Sequence, residues 1–299
     1  MATFQTGGVS LYDTVKKMGA DENTLKTAEL LQKASSFLQD APVVMADSQQ
    51  IYKFGTTDYV GLPWILKSEL KNTTDQKQLR HAYMGHWLHG WAHSLEADFL
   101  HSTKANDMDN IDRIDGVDAY CSKLDVDRVI DGGASTVDHK KVMSIYLVAW
   151  DAENGAFVIA PQDNTAGIKF NILGDQVIVD PDNPDKHLVV EMYEMGVSLG
   201  FGLRDKRAVA RIANIDCTTV SSSTLDTKWL IKAINQFPAN LRSKIIIYVP
   251  SEIELAIQMT CLNSTDTPFV YDQNKLQYSF NGLPIRVSEA IIPQTTIIQ

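Results

Sequence analysis

The sequence predicts a mixed α+β fold, with one long helix set apart from a sheet flanked by helices, and three observations point there. Apolar residues recur at helical spacing in a few separated stretches, the longest running from 75 to 103. Short continuous apolar runs, Val142–Trp150 and Ile245–Val249, read as buried strands. The region from Ala156 to Phe201 is strand-like almost throughout. A chain of 299 residues can bury one large core or two smaller ones.

Residues 1–20 are small, polar and glycine-containing, and are expected to form a mobile or extended arm. Asp21 reads as the N-cap of a helix to about Gln39, with Leu25, Ala28, Leu31, Ala34 and Leu38 on one stripe. Pro42 ends it, because proline disfavours the helical state of the residue before it. From 43 to 74 the pattern turns strand-like at Ile51, Tyr52, Phe54, Tyr59 and Val60, with Gly55 and Gly61 as breaks. Few residues there would anchor to a core, so an excursion is expected. A two-stranded one would project roughly 40–50 Å at about 3.3 Å per residue. The helix over 75–103 would be about 40 Å long. Leu79, Tyr83, Trp87, Trp91, Leu95 and Phe99 recur along it at four-residue steps, and an acidic loop follows at 106–118.

In the second half, strands are predicted at Ala156–Ala160, Ile168–Leu173, Gln176–Val179 and Leu188–Phe201, with a tight turn at Pro181–Pro184. A helix capped near Thr224 should run over 225–237, and a second from Ser251 to about Leu262. Tyr278 to Val287 closes the pattern as strand around the Asn281-Gly282 turn.

Hydrophobic residues at 44% and charged residues at 21% are ordinary for a soluble globular protein. No apolar stretch reaches membrane-spanning length, and Met1–Asp13 has neither a basic start nor an apolar run. A protein made and kept in a cytoplasm is therefore expected. A net charge of −10 without a long basic cluster argues against a dedicated nucleic-acid binder. Cys121, Cys217 and Cys261 form no CxxC pair and read as buried free thiols.

The candidate chemistry is sparse. His86, His89, His93 and Glu96 fall on one helix face, and two imidazoles one turn apart could share a metal. HExxH is absent, however, and Trp87 and Trp91 on the adjoining stripe suit a packing helix, so structural histidines are the preferred reading. A metal-dependent enzyme with a histidine-lined site on this helix stands as the rival. Gly196–Gly202 lacks both dinucleotide and P-loop spacing, and glycines inside strands more often mark bulges or close backbone approach. Asp131-Gly132-Gly133 and Asp180–Asp185 read as turns, the latter lacking calcium-loop spacing. Ser198 has no G-x-S-x-G frame. No catalytic, cofactor-binding or metal residue is assigned.

The order of several segments resembles a known family. Leu30–Pro42 continues to Gly61-Leu62-Pro63-Trp64, and Ile130–Gly133 precedes Ser144–Trp150. Gly167–Gly174 is followed by Gly200–Asp205 and Ala210–Ile215, then Ile246–Val249 and Phe280–Arg286. In this order they are similar to the major capsid proteins of short-tailed, podovirus-like bacteriophages, although the stretch between Trp64 and the long helix is shorter than usual. The resemblance implies the HK97-type capsid fold. Residues 1–42 would be the N-arm and 43–74 the E-loop. Residues 75–104, 156–199 and 271–299 would form the peripheral domain, with the long spine helix. Residues 105–155 and 200–270 would form the axial domain, with a central sheet and flanking helices.

The function implied is assembly of hexamers and pentamers into an icosahedral head shell around double-stranded DNA, in virions assembled in the bacterial cytoplasm. An acidic wall would not adhere to its packed contents. Portal and scaffolding proteins, and a decoration protein, are the partners the resemblance implies, without a cofactor or a membrane. An encapsulin-like compartment shell is a second rival, sharing the fold. Tyr52, Phe54, Tyr59 and Trp64 are the candidate inter-subunit contacts. The alternative for them is to cover the spine helix of their own subunit.

Overall fold

The structure is a computed structural model, and it describes residues 9–46, 55–103, 114–124, 127–163, 165–263, 268–273 and 276–299. Its strands fall into two sheets. The first contains β1 (Val43–Ala46), β2 (Thr57–Gly61), β3 (Trp64–Leu66), β6 (Ala156–Pro161), β7 (Ile168–Asp180) and β8 (Asn183–Leu203). Strand β8, 21 residues long, organises it: β6 and β7 pair with it antiparallel, as do β2 and β3. Strand β1 adds parallel to β6, with Val43 opposite Val158.

The second sheet has the order β11-β12-β13-β10-β5-β9-β4. Its strands are β4 (Val129–Asp131), β5 (Val142–Ala149), β9 (Val209–Asp216), β10 (Ile245–Val249), β11 (Phe269–Asp272), β12 (Gln277–Phe280) and β13 (Leu283–Val287). Every residue of β5 and β10 is buried, as their unbroken apolar runs require of strands covered on both faces. The β12–β13 turn places Asn281 at φ 49 and Gly282 at φ 83, the left-handed pair that a two-residue hairpin demands.

Helices α1 (Leu11–Lys17), α2 (Glu22–Ala34) and α3 (Ser36–Asp40) precede β1, and α4 (Lys67–Asn72) follows β3. The long helix α5 (Gln76–His101) starts at Asp75, whose carboxylate accepts from the Gln78 N–H at 3.0 Å. After it come α6 (Val117–Tyr120), α7 (Thr227–Asn235) and α8 (Ser251–Asn263). Most of the buried apolar residues form one continuous cluster.

Several expectations are corrected here. The N-terminal segment is not wholly an extended arm: Ser10 caps α1, and Leu11 and Val15, one turn apart, are fully buried. The helix expected from 21 to 39 breaks at Ser35, which takes an extended conformation and caps α3 by accepting from the Leu38 N–H. The described part of 43–74 does not project, because β1 pairs with β6 while β2 and β3 pair with β8, so their ladders are satisfied within the sheet. Residues 271–299 do not return to the first sheet, since β12 and β13 extend the second one beside β10.

The long helix also buries a different stripe. Met84, Leu88, Ala92, Leu95, Phe99 and Leu100 are buried, whereas Leu79, Tyr83, Trp87 and Trp91 are half-buried. A strict four-residue step advances about 40° per turn beyond a full rotation, so that stripe winds off any one face. The observed set inserts a three-residue step at Leu95 and stays on the core.

Candidate inter-subunit surface

Tyr59 and Trp64 reach the surface from β2 and β3, two short strands laid against β8. Tyr59 pairs with Val197 across the ladder, and its hydroxyl donates to Asp98 on α5 at 2.6 Å. Its ring lies 6.4 Å from that of Trp91. Tyr59 is thus committed to the long helix of its own subunit. Trp64 pairs with Met192 and stays half-buried. It lines an open cavity of about 430 Å³ with Leu62, Pro63, Leu66, Tyr83 and Trp87. Glu69 closes one side and accepts from the Tyr83 hydroxyl at 2.8 Å. Tyr52 and Phe54 lie outside the described residues.

Beyond Val190, where β3 stops, β8 continues with β7 alone to the turn at Asp180–Asn183. The Asp180 carboxylate accepts from the Asp182 N–H at 3.0 Å, and Asn183 accepts likewise from Asp185 at 3.2 Å. These are side-chain turns, as expected of that stretch. The predicted pair of strands at 168–173 and 176–179 is one strand with a register shift between Ile172 and Gly174, where Gly174 takes φ 79. Among the described residues, the projecting arm is therefore the β7–β8 ribbon.

Glu191 ties the root of the ribbon to the long helix. It receives Arg80 through two bonds of 2.7 and 2.9 Å, with Lys67 at 3.9 Å and the Tyr193 hydroxyl also donating. The Arg80 guanidinium holds this carboxyl below the usual range, against the opposing effect of burial.

Two further polar joints hold the segments around the long helix. Glu96, only 4% exposed, accepts from Ser35 at 2.8 Å, Ser36 at 2.6 Å and the Phe37 N–H at 3.4 Å. The Ser288 hydroxyl also donates to it, so one carboxylate joins the N-terminal helices, α5 and the segment after β13. Asp118 on α6 receives Arg211 at 2.7 Å and Tyr146 at 2.9 Å from the second sheet, and lies 2.9 Å from the Nδ1 of His101 at the end of α5. Sequence reasoning missed Asp118, Arg80, Glu191 and Arg211. Their partners lie as far as 111 residues away, and no local pattern marks such a pair.

The four-residue histidine face divides. His86, His89 and His93 point outward, while Glu96 turns into the core and is taken by the serines. Among the described residues, no group of three or more His, Cys, Asp or Glu side chains is placed to hold a metal ion. Nor is any helix among them long and apolar enough to cross a membrane.

The glycines of β8 mark close approach: a Cβ at Gly200 would collide with the Gly55 carbonyl, and one at Gly202 with the Phe157 ring. Asp131-Gly132-Gly133 is a turn whose aspartate accepts from the Gly133 N–H and from Asn214, each at 3.0 Å. Cys121 and Cys217 are buried free thiols, and burial pushes them up to about 11 and about 12. Cys261 is a half-buried thiol, so the expectation of three buried thiols holds for two.

A long helix across a sheet with an open arm, beside a second sheet flanked by helices, defines the class: an HK97-type shell subunit. One solved structure shares the fold. The chain is similar to a protein of bacteriophage Epsilon15, with a TM-score of 0.57 and 16% identity over 81% of this chain and 74% of that one. A procapsid chain of bacteriophage JBD30 aligns at a TM-score of 0.37 and 10% identity, covering 78% of this chain and 87% of that one. An SrpI encapsulin of Synechococcus elongatus also aligns at 0.37, with 8% identity over 54% of this chain and 74% of that one. No curated protein matches the sequence. Residues 67–298 match the family described as major capsid protein GP7; the chain belongs to that family and is a phage head-shell protein.

Proposed function

We propose that the subunit forms hexamers and pentamers that tile an icosahedral shell around double-stranded DNA, assembled in the host cytoplasm with a portal and a scaffolding protein. A decoration protein is a further partner on this reading. The subunit carries no catalysis. The first sheet with α5 acts as the peripheral domain and the second sheet as the axial domain.

The observation that carries the reading is the apolar surface left open on the first sheet. Val60, Leu62, Ile172, Val177, Val179 and Val189 are each more than half exposed. A monomer rarely leaves so many aliphatic side chains in water on one sheet, whereas a shell subunit covers them with its neighbours. Of the two candidate contacts among the described residues, Trp64 better fits burial by a neighbour, since it lines an open cavity, whereas Tyr59 is engaged within its own subunit.

Sedimentation and negative-stain microscopy of the concentrated full chain, with its nucleic-acid and metal content, test this. Rings, tubes or closed shells are expected. A discrete small species with stoichiometric metal would establish the enzyme instead, and closed shells filled with a protein cargo would establish the compartment.

A further inference from the structure

The Trp64 cavity is walled by aromatic rings: Trp64 from β3, and Tyr83 and Trp87 one turn apart on α5. The Tyr83 and Trp87 ring centres lie 5.7 Å apart with planes inclined at 49°, so they form an angled pair of walls and not a stack. Among the described residues, Glu69 is the one charged side chain that lines the cavity. Its carboxylate accepts from the Tyr83 hydroxyl, a neutral donor, at 2.8 Å. No described cation of the same subunit pairs with it or stands over the three rings.

The neighbouring cations are turned elsewhere. Lys67 and Lys71 each stand two residues from Glu69 on α4, a spacing that puts them on the other side of that helix, and Lys67 is bound there to Asp175 at 2.5 Å. Arg80 is taken by Glu191 through two bonds. Lys77 lies six residues before Tyr83, about 9 Å back along α5. The cavity thus presents one carboxylate without a counter-charge, among aromatic faces that are themselves electronegative.

This chemistry selects its occupant. An apolar side chain would fill the walls but cut the Glu69 carboxylate off from water with nothing to neutralise it. An anion would be repelled by the carboxylate and by the ring faces. A lysine or arginine answers each feature at once: the head meets Glu69 and the rings, and the aliphatic stem covers Leu62 and Leu66 at the opening. About 430 Å³ is room enough for the end of such a side chain.

We propose that the Trp64 cavity is a cation-binding box that takes a lysine or arginine side chain from a second copy of this chain, with Glu69 as the counter-charge. Val60 and Leu62 beside it are 74% and 55% exposed, and a head-shell chain is covered by copies of itself. The source of the side chain rests on the shell reading above; the cation site does not.

The test titrates the dilute, unassembled full chain with tetramethylammonium chloride and with N-acetyl-argininamide, read by tryptophan fluorescence. N-acetyl-glutaminamide is the neutral control, and sodium chloride matches the ionic strength. Both cations should give a saturable change and neither control should. Glu69→Gln keeps the shape and an acceptor for Tyr83, so the thermal transition should stay in place while cation affinity falls about tenfold. At ten times their half-saturating concentration the cations should raise the concentration needed for assembly about tenfold, by competing for the box. An equal response to the neutral amide, or an unchanged affinity in Glu69→Gln, would overturn the cation box and leave the shell reading standing. Saturable cation binding without effect on assembly would overturn the second copy as the source. A wild-type chain that stays monomeric at every concentration would overturn the shell reading and that source together, while the titration still decides the cation site.

Discussion

Removing the Glu96 carboxylate should cost more than removing almost any other single surface of the long helix, and the cost can be worked out from its partners. Glu96→Ala strands the hydroxyls of Ser35 and Ser288, which are 1% and 2% exposed, and weakens the support of the Phe37 N–H. Each stranded buried donor costs about 1–3 kcal/mol, and the Ser36 bond adds a smaller loss. With the emptied volume, the total is about 4–5 kcal/mol. Glu96→Gln keeps the shape and one acceptor oxygen, and serine hydroxyls can rotate to accept from its amide, so about 1–2 kcal/mol is expected. Adding Ser288→Ala to Glu96→Ala should recover about 1 kcal/mol, because a missing donor needs no partner. The assay is urea denaturation of dilute, unassembled subunits, read as the shift in midpoint at constant slope. An alanine variant within about 1 kcal/mol of wild type would refute the accounting. So would a glutamine variant as weak as the alanine one, which would assign the effect to the charge instead of the hydrogen bonds.

Three more outcomes are expected. Arg80→Ala should destabilise the subunit by about 2 kcal/mol near neutrality by leaving Glu191 without its two-bond partner, seen as a lowered thermal midpoint. Because Arg80 depresses the folded value of Glu191 below 4.5, the stabilisation is complete above that pH and is lost as pH falls from there through the folded value. Wild type should therefore lose more stability than the variant on acidification through this window, and equal losses would disprove the coupling. Cys121 and Cys217 should resist a thiol reagent at about pH 8 in the native subunit and react only on unfolding, because burial disfavours their thiolates, while Cys261 reacts first. Gly200→Ala should cost about 2–3 kcal/mol or abolish folding, since the added methyl would meet the Gly55 backbone carbonyl, which cannot yield as a flexible side chain would; a stable variant would mean that the segment leading into β2 can move off β8.

Local chemistry made much of the fold legible. The cap at Asp21 starts a helix because an aspartate before an apolar stripe satisfies a backbone donor two residues on. The buried strands β5 and β10 and the Asn281-Gly282 hairpin were equally readable, since burial pattern and turn conformation are properties of adjacent residues. The ordered segments from Leu30 to Arg286 carried the family resemblance, and with it the shell function.

What only the tertiary structure decided is which strand lies beside which. Residues 43–74 read as an excursion, but β2 and β3 found their ladder partner on β8, well over a hundred residues away. The arm that does project comes from β7 and β8, whose valines look in sequence like those of any buried strand. Glu96 sat among histidines on paper and among serines in space, because a helix winds its neighbours around the axis while three distant segments converge on one side. Capping and turn preferences act over a few bonds and are written locally. Strand partners and buried polar joints depend on the whole chain's collapse, where the same alternating pattern satisfies many pairings and only the assembled core selects one.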